Sequence, residues 1–372
     1  MTAPIARVRI RAIDWLRGLV MVLMTIDHAG SVYDAHHLHG DAAHGWTPGS
    51  LLPAGEFLTR FITHVCAPAF VLLAGTSLAL SSEKRRGQPG QTAFLVKRGL
   101  LIAALDPLWM SLGFAAYHVV IFQVLYAIGL SLVCMAFLRA LSSRALLAGA
   151  FAIQLFGELS ARVHWTSTPM AVLWSFLFVG GRPYGHLVVA YPLIPWLSIM
   201  MAGFVLGRFL IETRGRAHSA HTRSFALIGL ALLALFALVR GVDGYGNWGL
   251  YRDSLLPLQW LHVAKYPPSL SYTALELGLT FLLLALFFRL EDTRRSSLLQ
   301  PFLIFGSTAF FYYLLHVHLL ALFELVFRLD RSSGGLVKTY AAALAVLLAL
   351  YPLCTRYRRY KAARPDGWTR YI

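Results

Sequence analysis

Charge is what this sequence has least of: Asp, Glu, Lys and Arg make up only 13% of its 372 residues, while 58% are hydrophobic. Soluble domains carry about a quarter charged residues, so the composition excludes an ordinary soluble fold and points to an integral membrane protein. Acids are scarcer than bases, 17 against 33, which gives a formal charge of +16. The basic residues do not gather into one patch but recur at the ends of alternate apolar segments, so nucleic acid is not expected as a partner. Cysteine is nearly absent. Cys66, Cys134 and Cys354 sit in apolar stretches without metal-ligand spacing and read as buried packing residues. The sequence also lacks a Gly-rich phosphate loop, a zinc-finger pattern and an H-E-x-x-H motif, and no metal site is expected. No internal repeat, soluble domain or lipidation motif is visible.

What is present is a series of long apolar runs. A bilayer-spanning helix needs about 20 mainly apolar residues. Runs at 13–33, 57–81, 92–113, 119–138, 145–158, 187–208, 224–240, 267–289, 300–325 and 337–356 meet or approach that length. The expected fold is an all-α polytopic membrane bundle of about ten helices, or eleven if 171–180 contributes. One transmembrane domain is expected over 1–372, with helices from about 13 to 358. Lys84–Arg86, Arg139, Arg144, the 208–223 stretch and the tail RYRRYKAAR are basic, whereas 34–56, 159–186 and 241–266 are longer and less basic. The positive-inside rule therefore puts both termini and the tail 357–372 in the cytoplasm. The basic lead-in to the first run reads as part of a retained helix, not a cleaved signal. Trp46, Trp165, Trp174, Trp248 and Trp260 fall in the less basic loops and suit interfacial anchoring or stacking on sugar rings.

Ionisable residues inside apolar runs are costly and mark functional cavities. The first run carries Asp14, Arg17, Asp27 and His28. Arg17 and His28 are eleven residues apart, three turns of helix, so they share a face about 16 Å apart along the axis. Asp14 and Arg17, three apart, form an intrahelical ion pair or together hold an anionic group arriving from the cytoplasm. His28 suits a general base, with Asp27 as a neighbouring acid that need not touch it. The loop DAHHLHGDAAHG adds His36, His37, His39 and His44, one of which can reach back to the helix. Arg60 and His64 share a face of the second run, where Arg60 either lines the site or snorkels to the interface. Lys265 in KYPPSL lies at a pocket rim or at the interface, and Pro268 suits the start of a helix. His316 and His318, two apart, point to opposite faces, so one of them faces a cavity.

The stretches RIRAIDWLRGLVMVLMTIDHAG, FITHVCAPAFVLLAGTSLAL, QVLYAIGLSL, YPLIPWLSIMMAGFVLG, KYPPSL and FFYYLLHVHLL, taken in order, resemble the bacterial heparan-α-glucosaminide N-acetyltransferase-like membrane family. Arg17-x10-His28 is also similar to the R-x10-H signature of integral-membrane sugar O-acyltransferases. The resemblance implies an enzyme of the bacterial inner membrane. It would carry an acetyl or other acyl group from cytoplasmic acyl-CoA to an amine or hydroxyl of a sugar or glycan on the far side. From the residues themselves, Arg17 and Asp14 are expected at the donor and Arg60, His64, Lys265 and His316 around the acceptor. In lysosomal members the proposed base is a histidine eleven residues beyond an asparagine of the first helix. Here His28 stands at the asparagine position and the spacing lands on His39, with His36 or His37 reached through a small gap. Catalysis is thus expected from His28 or His39 with Asp27, in a chain for which a homodimer is compatible. The competing readings are a secondary transporter or flippase of an envelope solute and a haem-b protein with His28, His64, His316 or His318 as ligands.

Overall fold

The computed structural model describes residues 10–38, 40–113, 119–291, 293–327, 334–364 and 367. The chain folds into helices α1 (Arg11–Tyr33), α2 (Ala54–His64), α3 (Cys66–Lys84) and α4 (Gln91–Leu105). Strand β1 (Val120–Phe122) follows, then α5 (Val124–Leu138), α6 (Ser143–Phe156) and α7 (Thr168–Trp174). Strands β2 (Gly181–Tyr184) and β3 (Leu187–Val189) lead into α8 (Leu193–Glu212), α9 (His218–Val242) and α10 (Pro257–Leu261). Helices α11 (Leu270–Glu291), α12 (Gln300–Ser307), α13 (Ala309–Phe327) and α14 (Leu336–Ala363) complete the bundle. The chain is helical as expected, with one small sheet besides. β1 pairs parallel to β3, and β3 antiparallel to β2, as a small sheet among the loops at one end of the bundle.

Six helical segments are long and apolar enough to cross a membrane: 54–84, 193–212, 218–242, 270–291, 309–327 and 336–363. Ten or eleven spans do not stand out by length and composition, and the reasons are local. α1 has the length, but Asp14, Arg17 and Asp27 put charge into it. Beyond α4 the winding widens over Asp106–Met110, where Pro107 cannot donate an N–H to the helical ladder. The Asp106 carboxylate uses this break to accept the N–H groups of Gln123 and Tyr126, both at 2.7 Å, at the start of α5. The 57–81 run is interrupted at Val65. Pro68 leaves the His64 carbonyl without its helical donor, and the Tyr272 hydroxyl supplies one at 3.0 Å. The 300–325 run breaks at Thr308. The helix that Pro268 is expected to begin starts two residues later, at Leu270, because Ser269 caps it: its hydroxyl accepts the Tyr272 N–H at 3.0 Å.

α1 is the hub, with α2, α3, α11, α12, α13 and α14 all packed against it. Glycine allows the closest approaches, as in other membrane helix pairs. A Cβ on Gly306 would lie 1.8 Å from the Asp14 carbonyl oxygen, and one on Gly18 would lie 1.9 Å from that of Phe302. Two backbones therefore touch along the α1–α12 seam, which places α13 and its histidines beside α1. Gly306→Ala should lower the thermal midpoint in detergent, at a cost of about 1–3 kcal/mol. Gly149→Ala, whose new methyl meets only the flexible end of Met201, should leave the midpoint unchanged or raised. Equal behaviour of the two variants would contradict the seam.

Candidate functional site

A knot of buried polar groups surrounds the loop-side third of α1. Asp27 Oδ1 accepts hydrogen bonds from Arg60 Nη1 at 2.5 Å and from the Thr63 hydroxyl at 2.7 Å. The same guanidinium donates through Nε at 2.8 Å and through Nη2 to Asp41 Oδ2. Arg60 is 7% exposed, so it does not snorkel: it bridges α1 to the loop that follows it. His64 comes from the same face of α2 and places Nε2 3.3 Å from Asp41 Oδ1. The Asp41 carbonyl accepts the Lys265 N–H at 2.8 Å, and His262 Nε2 donates to the Gly40 carbonyl at 2.9 Å. Two loops distant in sequence are thereby stitched to α1 and α2.

Electrostatics explain why these groups tolerate burial. A buried ion is stable only when paired and hydrogen-bonded. Asp27 and Asp41 bring two negative charges, and Arg60 supplies one positive charge at contact distance. Lys265 supplies the second. Only 3% exposed, it lies within electrostatic reach of Asp27, Asp41 and His28, which corrects its placement at the interface. Burial by itself would raise the Asp41 carboxyl, but Arg60 and His64 beside it hold it well below the usual carboxylate range. Burial pushes the His262 ring down, against the Gly40 carbonyl bond, in keeping with a neutral ring that donates through Nε2.

His28 lies on the adjoining face of α1, with Nδ1 2.7 Å from His316 Nε2 on α13. His316 is wholly buried, and its Nδ1 is 2.6 Å from the Tyr313 carbonyl. The opposite face of α13 carries His318, stacked on Trp109 with ring centroids 4.4 Å apart. The two histidines thus diverge as their spacing requires. Asp27, His28, Arg60, His64, Lys265 and His316 come together in one region. Asp14 and Arg17 do not join them: they pair at 3.1 Å near the basic end of α1, where Arg17 also reaches Ser77 and the Leu73 carbonyl on α3. His36 is 72% exposed, His37 packs over Gly30, and His39 lies outside the described residues.

Three participants escaped the sequence reading. Asp41 and Thr63 carry no motif: tertiary folding alone brings Asp41 to Arg60, and it brings Thr63, one turn beyond Arg60 on α2, to Asp27. Glu276 was legible as an acid within an apolar run; it is wholly buried, and neither carboxylate oxygen has a hydrogen-bond partner among the described residues. A cleft of about 360 Å³ at the basic end, lined by Arg11, Trp15, Ser296, Gln300, Leu303 and Arg358, was also not foreseen.

Over residues 9–238 the chain matches the family described as heparan-alpha-glucosaminide N-acetyltransferase, catalytic. That match covers more than half of the sequence, and the chain belongs to this family. No curated protein matches it. The matched span contains Asp27, His28, Asp41, Arg60 and His64, while Lys265, Glu276 and His316 lie beyond it. Membership implies acyltransferase activity in a multi-pass membrane protein.

Removing one partner of the knot should be costly. Asp41→Ala should destabilise the protein by about 3–5 kcal/mol, because Arg60 is left buried beside a single carboxylate. Asp41 sits below its unfolded value in the fold, so its contribution is complete above about pH 3.9 and fades only as pH falls further. The gap between wild type and variant, read by thermal unfolding, should stay constant from pH 7 to pH 5. A gap already shrinking at pH 6 would contradict this assignment.

Proposed function

We propose that this member of the family carries an acetyl or other acyl group from acyl-CoA, bound at the basic cytoplasmic end, to an amine or hydroxyl of a sugar or glycan on the opposite side of a bacterial cytoplasmic membrane. Ten passes fit this reading: α1, α2–α3, α4 with its widened extension, α5, α6, α8, α9, α11, α12–α13 and α14. An even number returns both termini to the cytoplasm, and α7 is a short re-entrant element.

The observation that carries the proposal is a histidine, His28, beside a charge-balanced buried knot and about one and a half helical turns from the loop end of the hub helix. His28 removes the proton from the acceptor N–H or O–H as that atom attacks the thioester carbonyl. The carbon–sulfur bond then breaks, and the departing CoA thiolate takes that proton from His28, which restores the neutral base. Asp27, held by Arg60 and Thr63, keeps α1 and α2 in register, while Lys265 supplies positive charge where the oxyanion develops. His64 and Arg60 bound the acceptor side. Arg17 and its partner Asp14, with Arg11 and Arg358 at the cleft beside them, suit the phosphates of the donor because guanidinium donates paired hydrogen bonds to phosphate. Holding thioester and acceptor at near-attack distance removes much of the entropic barrier.

The competing readings fare less well. A haem held between His28 and His316 would need the rings on opposite faces of a porphyrin, yet they are hydrogen-bonded to one another. A transporter predicts flux without consumption of acyl-CoA. Purified protein incubated with radiolabelled acetyl-CoA, glucosamine and a panel of envelope sugars should transfer label to an acceptor. His28→Ala should lower the turnover by about 10²–10⁴-fold, and His39→Ala should have the smaller effect. Transfer unchanged by His28→Ala would overturn its assignment as the base.

A further inference from the structure

The hydrogen bonds around His316 fix where the protons sit. A backbone carbonyl can only accept, so the 2.6 Å contact from His316 Nδ1 to the Tyr313 carbonyl places a proton on Nδ1. A second proton on Nε2 would put a net charge on a wholly buried ring packed against Tyr312 and Tyr313, with no carboxylate in contact among the described residues. His316 Nε2 is therefore an acceptor. The 2.7 Å bond to His28 must then be donated by His28 Nδ1–H. The two rings lie 21° from parallel with centroids 5.0 Å apart, which fits an N–H···N bond lying close to both ring planes. With Nδ1 protonated, the lone pair of neutral His28 is on Nε2.

We propose that His316 is a positioning residue that holds His28 in the Nδ1–H tautomer, so that Nε2 is the nitrogen that accepts the acceptor's proton. The Tyr313 carbonyl, His316 and His28 form a relay of fixed polarity running from α13 to α1. When Nε2 takes a proton, the positive charge on His28 is stabilised by the His316 lone pair. Oriented bases in other enzymes use a carboxylate for this, and here a neutral imidazole anchored on a carbonyl does so without bringing another negative charge beside Asp27. The inference rests on the reading of His28 as the base.

The test is nitrogen-15 NMR of the full chain in lipid nanodiscs, labelled at histidine, with signals assigned from His28→Ala and His316→Leu spectra. The expected result is a coupling across the hydrogen bond, from a protonated His28 Nδ1 to an unprotonated His316 Nε2. A resting His28 protonated at Nε2, or a His316 protonated at Nε2, would overturn the proposal. In the acetyl-CoA assay, His316→Leu should lower kcat by about 100-fold with KM little changed. His316→Gln, whose amide can accept from His28 and donate to Tyr313, should stay within about 10-fold of wild type. A Leu variant as active as wild type, or a Gln variant as impaired as Leu, would overturn it. The spectrum reads the tautomer without substrate. A wild type that shows the coupling but transfers no label would therefore sink the acyltransferase reading and bear out the hydrogen-bond relay.

Discussion

One guanidinium buried between two carboxylates sets much of this structure. Arg60 cannot lie inside a membrane bundle without partners, and Asp27 on α1 and Asp41 in the following loop together supply them. Meeting that need folds the loop back over the end of α1. It also fixes the facing of α2, which carries His64 to Asp41, and gives the second loop its anchor, since Asp41's own carbonyl receives the Lys265 N–H. Arg240 ties down the far side of that second loop, donating to the carbonyls of Leu250, Gln259 and His262 at 2.6–2.7 Å. The loops are thus held from both ends by buried arginines, and the backbone bond from Lys265 to Asp41 delivers Lys265 to the site.

The hub position of α1 follows from small residues and polar residues acting on different turns. Gly18 lets α12 approach near the basic end. Thr25 meets the Tyr312 hydroxyl at 2.5 Å, and His28 meets His316, so α1 and α13 are also joined by polar contacts further along. Helices in lipid gain little from hydrophobic association with one another, and these contacts are what specify the pairing. The same pairing places the base of the proposed reaction, so packing and chemistry share one determinant.

The sequence made the broad architecture legible because apolar length and charge bias are local properties. It also marked most of the site: Asp27, His28, Arg60, His64 and His316 stand out as ionisable groups in apolar runs, Lys265 stands just before one, and they converge in space. The divergence of His316 and His318 followed from helix period alone. What stayed hidden depends on contacts across long separations. Asp41 looks like any loop acid, and nothing near it in sequence announces Arg60. The break at Val65 and the widened turn at Asp106 complete their hydrogen bonds through Tyr272 and the start of α5, which are distant in sequence, so runs that read as single spans divide. Arg17 shows the converse: its spacing from His28 suggested one functional face, yet its nearest partners are Asp14 and α3.

In the proposed reaction the site joins a donor on the basic side to an acceptor on the other. Proteoliposomes sorted for a single orientation, with labelled acetyl-CoA added only on the side of the basic loops and glucosamine trapped only on the opposite side, test it most directly. Acetylated sugar should appear in the compartment that never held acetyl-CoA, and none when the two substrates exchange sides. Product formed only when both substrates share a compartment would contradict it.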